Sequence, residues 1–195
     1  MASSSSPKTA STAERTLDVA ELLVQVRGFN GFSYADVARE LDISTASLHY
    51  HFPGKAALGE ALIARYSTRF ASALERIDRE ITGARAKLDA YVSIYSGVLR
   101  GNRMCLCGIL AAEYETLPEP MREAVTRFFE DNESWLTSVI AQGQTDGGLS
   151  ISGTPSDASQ MILSGLEGAM LIARTYGGIT RFQSSASRLL ETLTP

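Results

Sequence analysis

Apolar residues recur at intervals of three and four positions along most of the chain, which is the period of one face of an α-helix. The first segment with this pattern spans residues 12–27. Ser11 stands before it and Glu14 lies in its first turn, at the spacing of a capping box, and Gly28 follows it. No segment has a convincing strand pattern, and no internal repeat is present. The pattern therefore predicts an all-α chain.

Two short helical patterns follow, joined by a polar connection. The apolar positions of the first are Val37, Ala38 and Leu41. Ser33 precedes it as an N-cap, and Ser44 is a favourable N-cap for a second helix from Thr45 to about His51. We expect this second helix to bury Leu48 and to leave its polar side chains exposed. The pair predicts a helix-turn-helix.

Six more helices are predicted in the rest of the chain. They cover residues 58–81, 88–99, 105–115, 121–144, 155–175 and 180–193. Gly83 is expected to end the first of these, Thr154 to cap the fifth and Thr180 to cap the last. The sequence thus predicts about nine helices, three in an N-terminal helix-turn-helix head and six in a C-terminal helical bundle.

Composition indicates the cellular compartment in which the protein works. The 195 residues are 44% hydrophobic and 21% charged, as in ordinary globular proteins. No apolar run approaches the ~20 residues of a membrane span. Residues 1–11 lack the apolar core of a secretory signal and are predicted to form a disordered arm. Two cysteines only two positions apart fit a reducing compartment. We therefore expect a cytoplasmic protein with no membrane partner.

The net charge of −4 is unusual for a protein that binds nucleic acid. Residues 1–65 carry six Lys/Arg and seven Asp/Glu, a balance of −1, so the head is not basic overall. Residues 43–55 hold one Lys, two His and no acidic residue. Binding of a duplex would then depend on local geometry, backbone N–H groups at a helix N-terminus and a few phosphate contacts, with a shallow salt dependence.

The same stretch resembles the signature of the tetracycline-repressor (TetR) family of transcriptional regulators, within a match over about residues 12–62. The matching residues are Ile43, Ser44, Thr45, Ala46, Ser47, Leu48, His49, Tyr50, His51, Phe52, Pro53, Gly54 and Lys55. The resemblance implies a DNA-binding domain over residues 12–54 and a ligand-sensing, dimerising domain over residues 55–195. It implies a repressor that binds a palindromic double-stranded operator and is released by a small-molecule effector.

The resemblance and the exposed face of the second short helix together name the DNA contacts. Tyr50, His51 and Lys55 match family positions that touch phosphates or base edges. His49 stands where the family usually has Tyr, so a different base preference is expected. Ala46 is expected to contact a thymine methyl. The full set is Ser33, Tyr34, Ser44, Thr45, Ala46, Ser47, His49, Tyr50, His51 and Lys55.

The last two predicted helices are apolar, and little chain remains to cover them. One face packs on the bundle, and an exposed apolar remainder favours an interface. In the family these helices form a two-fold dimer, which is the symmetry that a palindromic operator requires. We expect a homodimer through residues 155–193.

A ligand pocket is expected between helices of the body, with plain core packing as the alternative for its apolar members. Glu113 is its polar candidate, because a carboxylate in an apolar helix needs a partner, which is either Arg174 or a ligand. The candidate ligand contacts are Tyr91, Tyr95, Cys107, Glu113, Phe128, Trp135 and Met170.

Cys105 and Cys107 leave other functions open. Both stand near a predicted helix N-terminus with Arg100 and Arg103 upstream, which would lower the thiol pKa values and favour an electrophile- or redox-responsive regulator. Inert packing is the alternative. A cysteine-dependent enzyme and a helical interaction module without DNA binding are the remaining rivals. We expect no catalysis, no cofactor and no metal.

Overall fold

A computed structural model describes residues 10–193, so residues 1–9 of the expected disordered arm lie outside the described part of the chain. The described residues form nine α-helices and one 3-10 turn, and no strand, which confirms the all-α class. The helices are α1 (Thr12–Arg27), α2 (Tyr34–Leu41), α3 (Thr45–His51), α4 (Lys55–Glu80), α5 (Ala84–Arg100), α6 (Leu106–Ala112), α7 (Glu119–Thr145), α8 (Pro155–Thr175) and α9 (Ile179–Glu191). The 3-10 turn (Tyr114–Thr116) lies between α6 and α7.

The head is formed by α1, α2 and α3, whose N-termini are capped as the sequence predicts. The side chains of Ser11 and Ser33 accept hydrogen bonds from the third backbone N–H of each helix, and Glu14 and Asp36 complete the two capping boxes. Ser44 accepts a hydrogen bond from a backbone N–H in the first turn of α3. These local bonds determine where each helix of the head begins.

α4 connects the head to the body. Its apolar face is buried from Leu58 to Ile77 and contacts α1 on the head side and α5 and α7 on the body side. The helix ends at Glu80, before the predicted stop at Gly83, because Ile81 adopts an extended conformation. Gly83, at φ 85°, instead stands at the N-cap of α5. One rigid element is therefore shared by both parts of the molecule.

Two further boundaries differ from the sequence prediction. α6 stops at Ala112 rather than Glu115, because the next residue leaves helical geometry and the chain tightens into the 3-10 turn. α9 begins at Ile179 with Gly178 as its N-cap and no side-chain cap, so the predicted cap by Thr180 is wrong.

The body consists of α5 to α9. α8 packs along α7 and α9, and α6 lies between α7 and the head helix α1. α8 begins as predicted, with the Thr154 side chain accepting from the Asp157 N–H and Pro155 in the first turn. At the centre of the body, aromatic rings from α4, α5 and α7 contact one another; they belong to Tyr66, Phe70, Tyr91, Tyr95 and Phe128.

Among the described helices, none has both the length and the apolar character needed to cross a membrane. The part of the chain between residues 10 and 193 also holds no group of three His, Cys, Asp or Glu side chains placed to bind a metal ion.

Candidate functional site

α3 presents a polar surface to solvent, as expected. Leu48 is fully buried and holds the helix on the head, whereas Tyr50 is 86% exposed. The other exposed residues of α3 are Thr45, Ala46 and His49, and the half-buried ones are Ser47 and His51. A short helix with small, hydroxyl, imidazole and phenol side chains on its open face has the size and chemistry to read base edges in a major groove.

The side chains of Tyr34 and His49 contact each other and the backbone at the end of α3. Their rings lie 4.8 Å apart, the Tyr34 hydroxyl donates to the Phe52 carbonyl at 3.0 Å, and His49 Nδ1 lies 3.2 Å from the Pro53 carbonyl oxygen. Because a carbonyl only accepts, His49 Nδ1 carries the proton in this contact. Both side chains are thereby oriented by the backbone that follows α3.

The two N-cap serines of the predicted DNA surface are exposed, and their hydroxyls already make bonds. The Ser33 hydroxyl donates to the Asp36 carboxylate at 2.7 Å. This bond, together with the hydrogen bonds from the Ser33 backbone N–H and the Arg39 side chain, lowers the Asp36 pKa to about 2. The Ser44 hydroxyl accepts from the Ser47 N–H at 3.2 Å. Both serines therefore shape the surface around α3 in addition to any contact they make with DNA.

Lys55, which the sequence predicts as a phosphate contact, is bound within the head in this structure. Its ammonium turns inward, donates to the Phe32 carbonyl at 2.5 Å and lies 4.6 and 4.4 Å from the ring centroids of Phe29 and Phe32. Burial lowers the pKa of this amine. In this conformation Lys55 links the first turn of α4 to the buried aromatic loop of the head. The cation–π attraction and the hydrogen bond replace the contacts that the ammonium would otherwise make with water.

The end of α1 is held by the body. The Glu113 carboxylate, at the C-terminus of α6, accepts from the backbone N–H of Phe29 at 2.6 Å and from that of Asn30 at 3.3 Å. Arg174, near the end of α8, donates to the Val26 carbonyl. Glu113 therefore does not pair with Arg174, which was one of the two partners that the sequence left open. Each side chain binds the head backbone at the end of α1 instead.

Glycine is required where these contacts meet. Gly28 has φ 83° and ψ 167°, a conformation open to glycine and costly for other residues. A β-carbon at this position would also lie 2.6 Å from a Glu113 carboxylate oxygen. The turn after α1 and the body carboxylate are thus fitted to each other.

α1 and α4 are joined by ion pairs. The buried Glu21 carboxylate accepts from Arg65 at 2.8 Å and from Arg69, and Arg65 also pairs with Asp18 at 2.7 Å. Arg65 and Arg69 are one helical turn apart on α4, so both reach the same carboxylate. This cluster fixes α1, and with it the head, along the first half of α4.

Most of the predicted ligand contacts are packed in the core of the body. Tyr91, Tyr95, Cys107, Phe128 and Met170 are buried. The Tyr91 hydroxyl donates to Asn132 Oδ1 at 2.9 Å and lies 3.1 Å from the Tyr95 hydroxyl, and the Cys105 backbone N–H points at Met170 Sδ at 3.2 Å. These residues form one continuous packed layer between α4, α5, α6, α7 and α8.

Two of the predicted contacts reach open clefts: Trp135 lines one of about 400 Å³ where α4, α5 and α7 meet, and Phe128 lines another of about 390 Å³ between α4 and α7. The Trp135 indole N–H donates to the Asp78 carboxylate at 2.8 Å, and Lys87 pairs with the same carboxylate at 2.6 Å. The two donors lower the Asp78 pKa against the opposing effect of burial. Asp78 and Lys87 therefore satisfy each other on the wall of the first cleft.

Of the two alternatives that the sequence left open for the cysteines, the structure favours inert packing over activated thiols. Cys105 and Cys107 are both free and fully buried, and burial together with the nearby Glu167 carboxylate raises their pKa values well above the usual range. Cys105 caps α6, accepting from the Gly108 N–H at 3.4 Å. The two histidines of the chain both lie in α3, so neither stands beside the cysteines as a base. Desolvation outweighs the upstream arginines here.

The sequence prediction does not include Glu167, which is the one acidic residue of the apolar helix α8 beyond the capping residue Asp157. Glu167 is half-buried, but both of its carboxylate oxygens are fully buried and have no charged partner among the described residues. Burial raises the pKa of Glu167 to about 7. The nearby Cys105 thiol and Tyr95 hydroxyl act to lower this pKa, but their effect is smaller than that of burial. The sequence feature that could have identified this residue is an acidic side chain between Leu166 and Gly168, in an otherwise apolar stretch.

Two family models match the chain. One, described as bacterial regulatory proteins of the tetR family, matches residues 17–62, and the other, described as a tetracyclin repressor-like C-terminal domain, matches residues 83–188. Among solved structures, a TetR-family transcriptional regulator from Agrobacterium tumefaciens is 31% identical, with a TM-score of 0.91 over 94% of this chain and 97% of that one. A TetR transcriptional regulator from Legionella pneumophila is 31% identical, with a TM-score of 0.83 over 96% and 100%.

Two curated relatives agree with this match. The transcriptional regulator AcuR of Cereibacter sphaeroides is 27% identical over 152 residues, 76% of this chain and 69% of AcuR. The HTH-type transcriptional repressor NemR of Escherichia coli is 25% identical over 170 residues, 84% of each chain. With a family model covering more than half of its length and a helix-turn-helix head on an all-α body, the chain belongs to the TetR family and is a DNA-binding transcriptional regulator.

Proposed function

We propose that this regulator is a homodimeric repressor that binds a palindromic operator and releases it when a small molecule binds the body. The head then corresponds to residues 12–54 and the sensing and dimerising body to residues 55–195. The observation that supports operator binding best is α3: its single buried anchor, Leu48, leaves the rest of the helix free to enter a major groove.

The exposed side chains of α3 divide into two roles in this proposal. Thr45, Ala46 and Ser47 are at the N-terminal end, which approaches base edges in helix-turn-helix proteins. His49 donates through Nδ1 to the Pro53 carbonyl, so the other ring nitrogen of the neutral imidazole is an acceptor suited to an adenine or cytosine amino group. Tyr50 supplies an exposed hydroxyl to bases or phosphates.

The surrounding residues contact the DNA backbone. In this proposal these are Ser33 and Tyr34, at the start of α2, and His51, at the end of α3. The N-terminus of α4 takes the phosphate role expected of the Lys55 ammonium, because Gly54 provides no side-chain cap and the first-turn N–H groups and helix dipole favour an anion. Few charged side chains take part, so a shallow salt dependence of operator binding follows.

α8 and α9 form the dimer interface in this proposal. Four large apolar side chains of this region are exposed in the single chain, namely Met161, Leu171, Ile172 and Tyr176. Apolar patches of this kind mark interaction surfaces. TetR-family regulators are typically dimers, and a two-fold axis through α8 and α9 would present two copies of α3 to successive grooves.

Release of DNA uses the contacts between body and head. Glu113 on α6 and Arg174 on α8 hold the backbone on either side of Gly28, and the Met104 N–H donates to the Gln25 carbonyl at 3.1 Å. A ligand that shifts α6 relative to α8 changes the position of α1, and α1 carries α3. The shift in operator affinity cannot exceed the differential affinity of the ligand for the two body conformations.

Selection from a random-sequence duplex pool, followed by affinity measurement, tests operator binding. We expect a palindromic site, and Tyr50→Ala should weaken its binding at least tenfold without changing the melting temperature. Tyr114→Ala changes another exposed tyrosine, which lies in the 3-10 turn outside the head, and is the control that should bind as the parent chain does. Failure to select any duplex would contradict the proposal.

Light scattering during gel filtration tests the dimer. Leu171→Glu places a charge in the proposed interface and should yield monomers, whereas Leu22→Glu alters a leucine of α1 with nearly equal exposure, 49% against 52%, and should leave the dimer intact. A monomeric parent chain, or a dimeric Leu171→Glu variant, would contradict the proposed interface.

A further inference from the structure

The Glu167 carboxylate lies in the middle of the body without a charge partner. It takes part in none of the ion pairs of the described residues, and the Cys105 thiol and the Tyr95 hydroxyl are the neutral polar groups nearest to its buried oxygens. It rests on the first turn of α6, where a β-carbon added to Gly108 would lie 2.2 Å from Glu167 Oε2. Glycine at position 108 is therefore what allows the carboxylate to reach this place between α6 and α8.

The ionisable groups around this carboxylate are neutral at physiological pH. They come from α4, α5 and α6 with its cap, and are Tyr66, Tyr91, Tyr95, Cys105 and Cys107; the negative charge of Glu167 contributes to raising the pKa of each. Phe70 and Phe128 continue the aromatic surface beyond the tyrosines. A buried carboxylate needs a cation as its partner, and the faces of aromatic rings also attract a cation. A cation is therefore the group that would complete this site.

We propose that Glu167 anchors the effector site of this regulator and that the effector is an organic amine, whose ammonium binds the carboxylate while its apolar part packs on the aromatic rings of α4, α5 and α7. This inference rests on the proposed effector-controlled repressor and names the ligand class that controls it. Tyr95 and Cys105 are the neighbouring polar contacts for the same ammonium group.

The position of Glu167 connects this site to the head. Arg174 follows it by seven residues on α8, two helical turns along the same face, and holds the Val26 carbonyl. Gly108 lies on α6, which ends at Glu113 and so at the N–H groups of Phe29 and Asn30. A ligand seated between Glu167 and Gly108 separates α6 from α8. The two helices then cease to hold the end of α1 in one position.

Ligand charge and pH act together at this site. In the ligand-free protein the Glu167 pKa is about 7, so the carboxyl group is largely protonated below that pH. An ammonium ion binds the ionised form, so amine affinity should rise as the pH increases from 6 to 8, with release of a proton on binding. The facing tyrosine and cysteine groups do not titrate in this range because their pKa values are raised.

Calorimetric titration of the full chain with three probes of similar shape tests the ligand class. The probes are 2-phenylethylamine, 2-phenylethanol and phenylacetate. We expect the amine to bind at least tenfold more tightly than the alcohol or the acid, and Glu167→Gln to lose at least tenfold in amine affinity. Glu75→Gln, the same change on an exposed position of α4, is the control.

Binding of no probe, equal binding of the alcohol or acid, or unchanged amine affinity in Glu167→Gln would overturn the proposal. The comparison of probes on the parent chain decides the question even where the variant does not fold. Saturating amine should also weaken operator binding at least tenfold; amine binding without this effect would remove the effector role. Operator selection without amine binding refutes only the amine site, whereas amine binding without operator selection refutes only the repressor function.

Discussion

The carboxylate of Glu113 accepts a hydrogen bond from the backbone N–H of Phe29 at 2.6 Å, across 84 positions of sequence. Phe29 is a buried aromatic residue of the head, and Glu113 ends a helix of the body. The bond crosses the boundary between the two parts of the molecule at the one turn that separates α1 from α2. Displacement of α6 therefore acts directly on the DNA-binding head.

Glu113→Ala should weaken the junction between head and body. Two backbone N–H groups lose a charged acceptor, which costs about 1.5–3 kcal/mol of unfolding free energy. Urea denaturation measures this loss, and hydrogen exchange should show faster exchange at Phe29 and Asn30. Glu115→Ala, an exposed neighbour, is the control and should behave as the parent chain. Equal stability of the two variants would show that the contact carries no weight.

Gly28→Ala should be destabilising by about 1–3 kcal/mol, because its φ of 83° is costly for alanine and the added methyl meets Glu113. Thermal unfolding measures the effect. Gly97→Ala tests the opposite case: this exposed glycine of α5 has open space around it, so alanine should stabilise the helix by about 0.5–1 kcal/mol. The same sign of change in both variants would contradict the assigned backbone strain.

The pH dependence of stability should report Glu167. Its pKa is about 7 in the folded chain against 4.5 in the reference state, so the folded chain holds the proton more tightly. The resulting stability is complete below pH 4.5 and is lost as the pH rises through 7. At about 1.4 kcal/mol per pH unit, the loss amounts to about 3 kcal/mol.

Urea denaturation at pH 5 and pH 8.5, for the parent chain and for Glu167→Gln, measures this contribution. The variant should lose less stability over that interval, because its amide does not titrate. Asp36 acts in another window, since its pKa is lowered to about 2 and its contribution is lost only in stronger acid. Parallel pH profiles of the two proteins would refute the assignment to Glu167.

Cys105 and Cys107 should resist alkylation in the native chain. Both are fully buried, and their raised pKa values keep the thiols protonated. Iodoacetamide at neutral pH should modify them at least about tenfold more slowly than in concentrated urea, because reaction then requires local opening. Mass spectrometry counts the modified thiols. Rapid native modification would revive the electrophile-responsive regulator as the better proposal.

The sequence alone determined the local structure of this protein. Helical periodicity and caps such as Ser11, Ser33, Ser44 and Thr154 act within one turn of the chain, so the type of each element and most boundaries could be predicted from neighbouring residues. The exposed face of α3 followed in the same way, because burial of Leu48 decides the direction of the other side chains.

Tertiary structure alone decided which charged and polar groups meet. Glu113 binds the turn after α1, where the sequence suggested Arg174 or a ligand as its partner. Lys55 turns onto Phe29 and Phe32, where the sequence suggested a phosphate contact. Glu167, for which the sequence suggested no role, has no charged partner among the described residues. Partner choice and desolvation depend on helices that are far apart in the chain, and a carboxylate or thiol changes its pKa according to what surrounds it. Neighbouring residues in the sequence therefore determine where the helices end, whereas the charge partners and pKa values of the side chains are determined only by how the helices pack together.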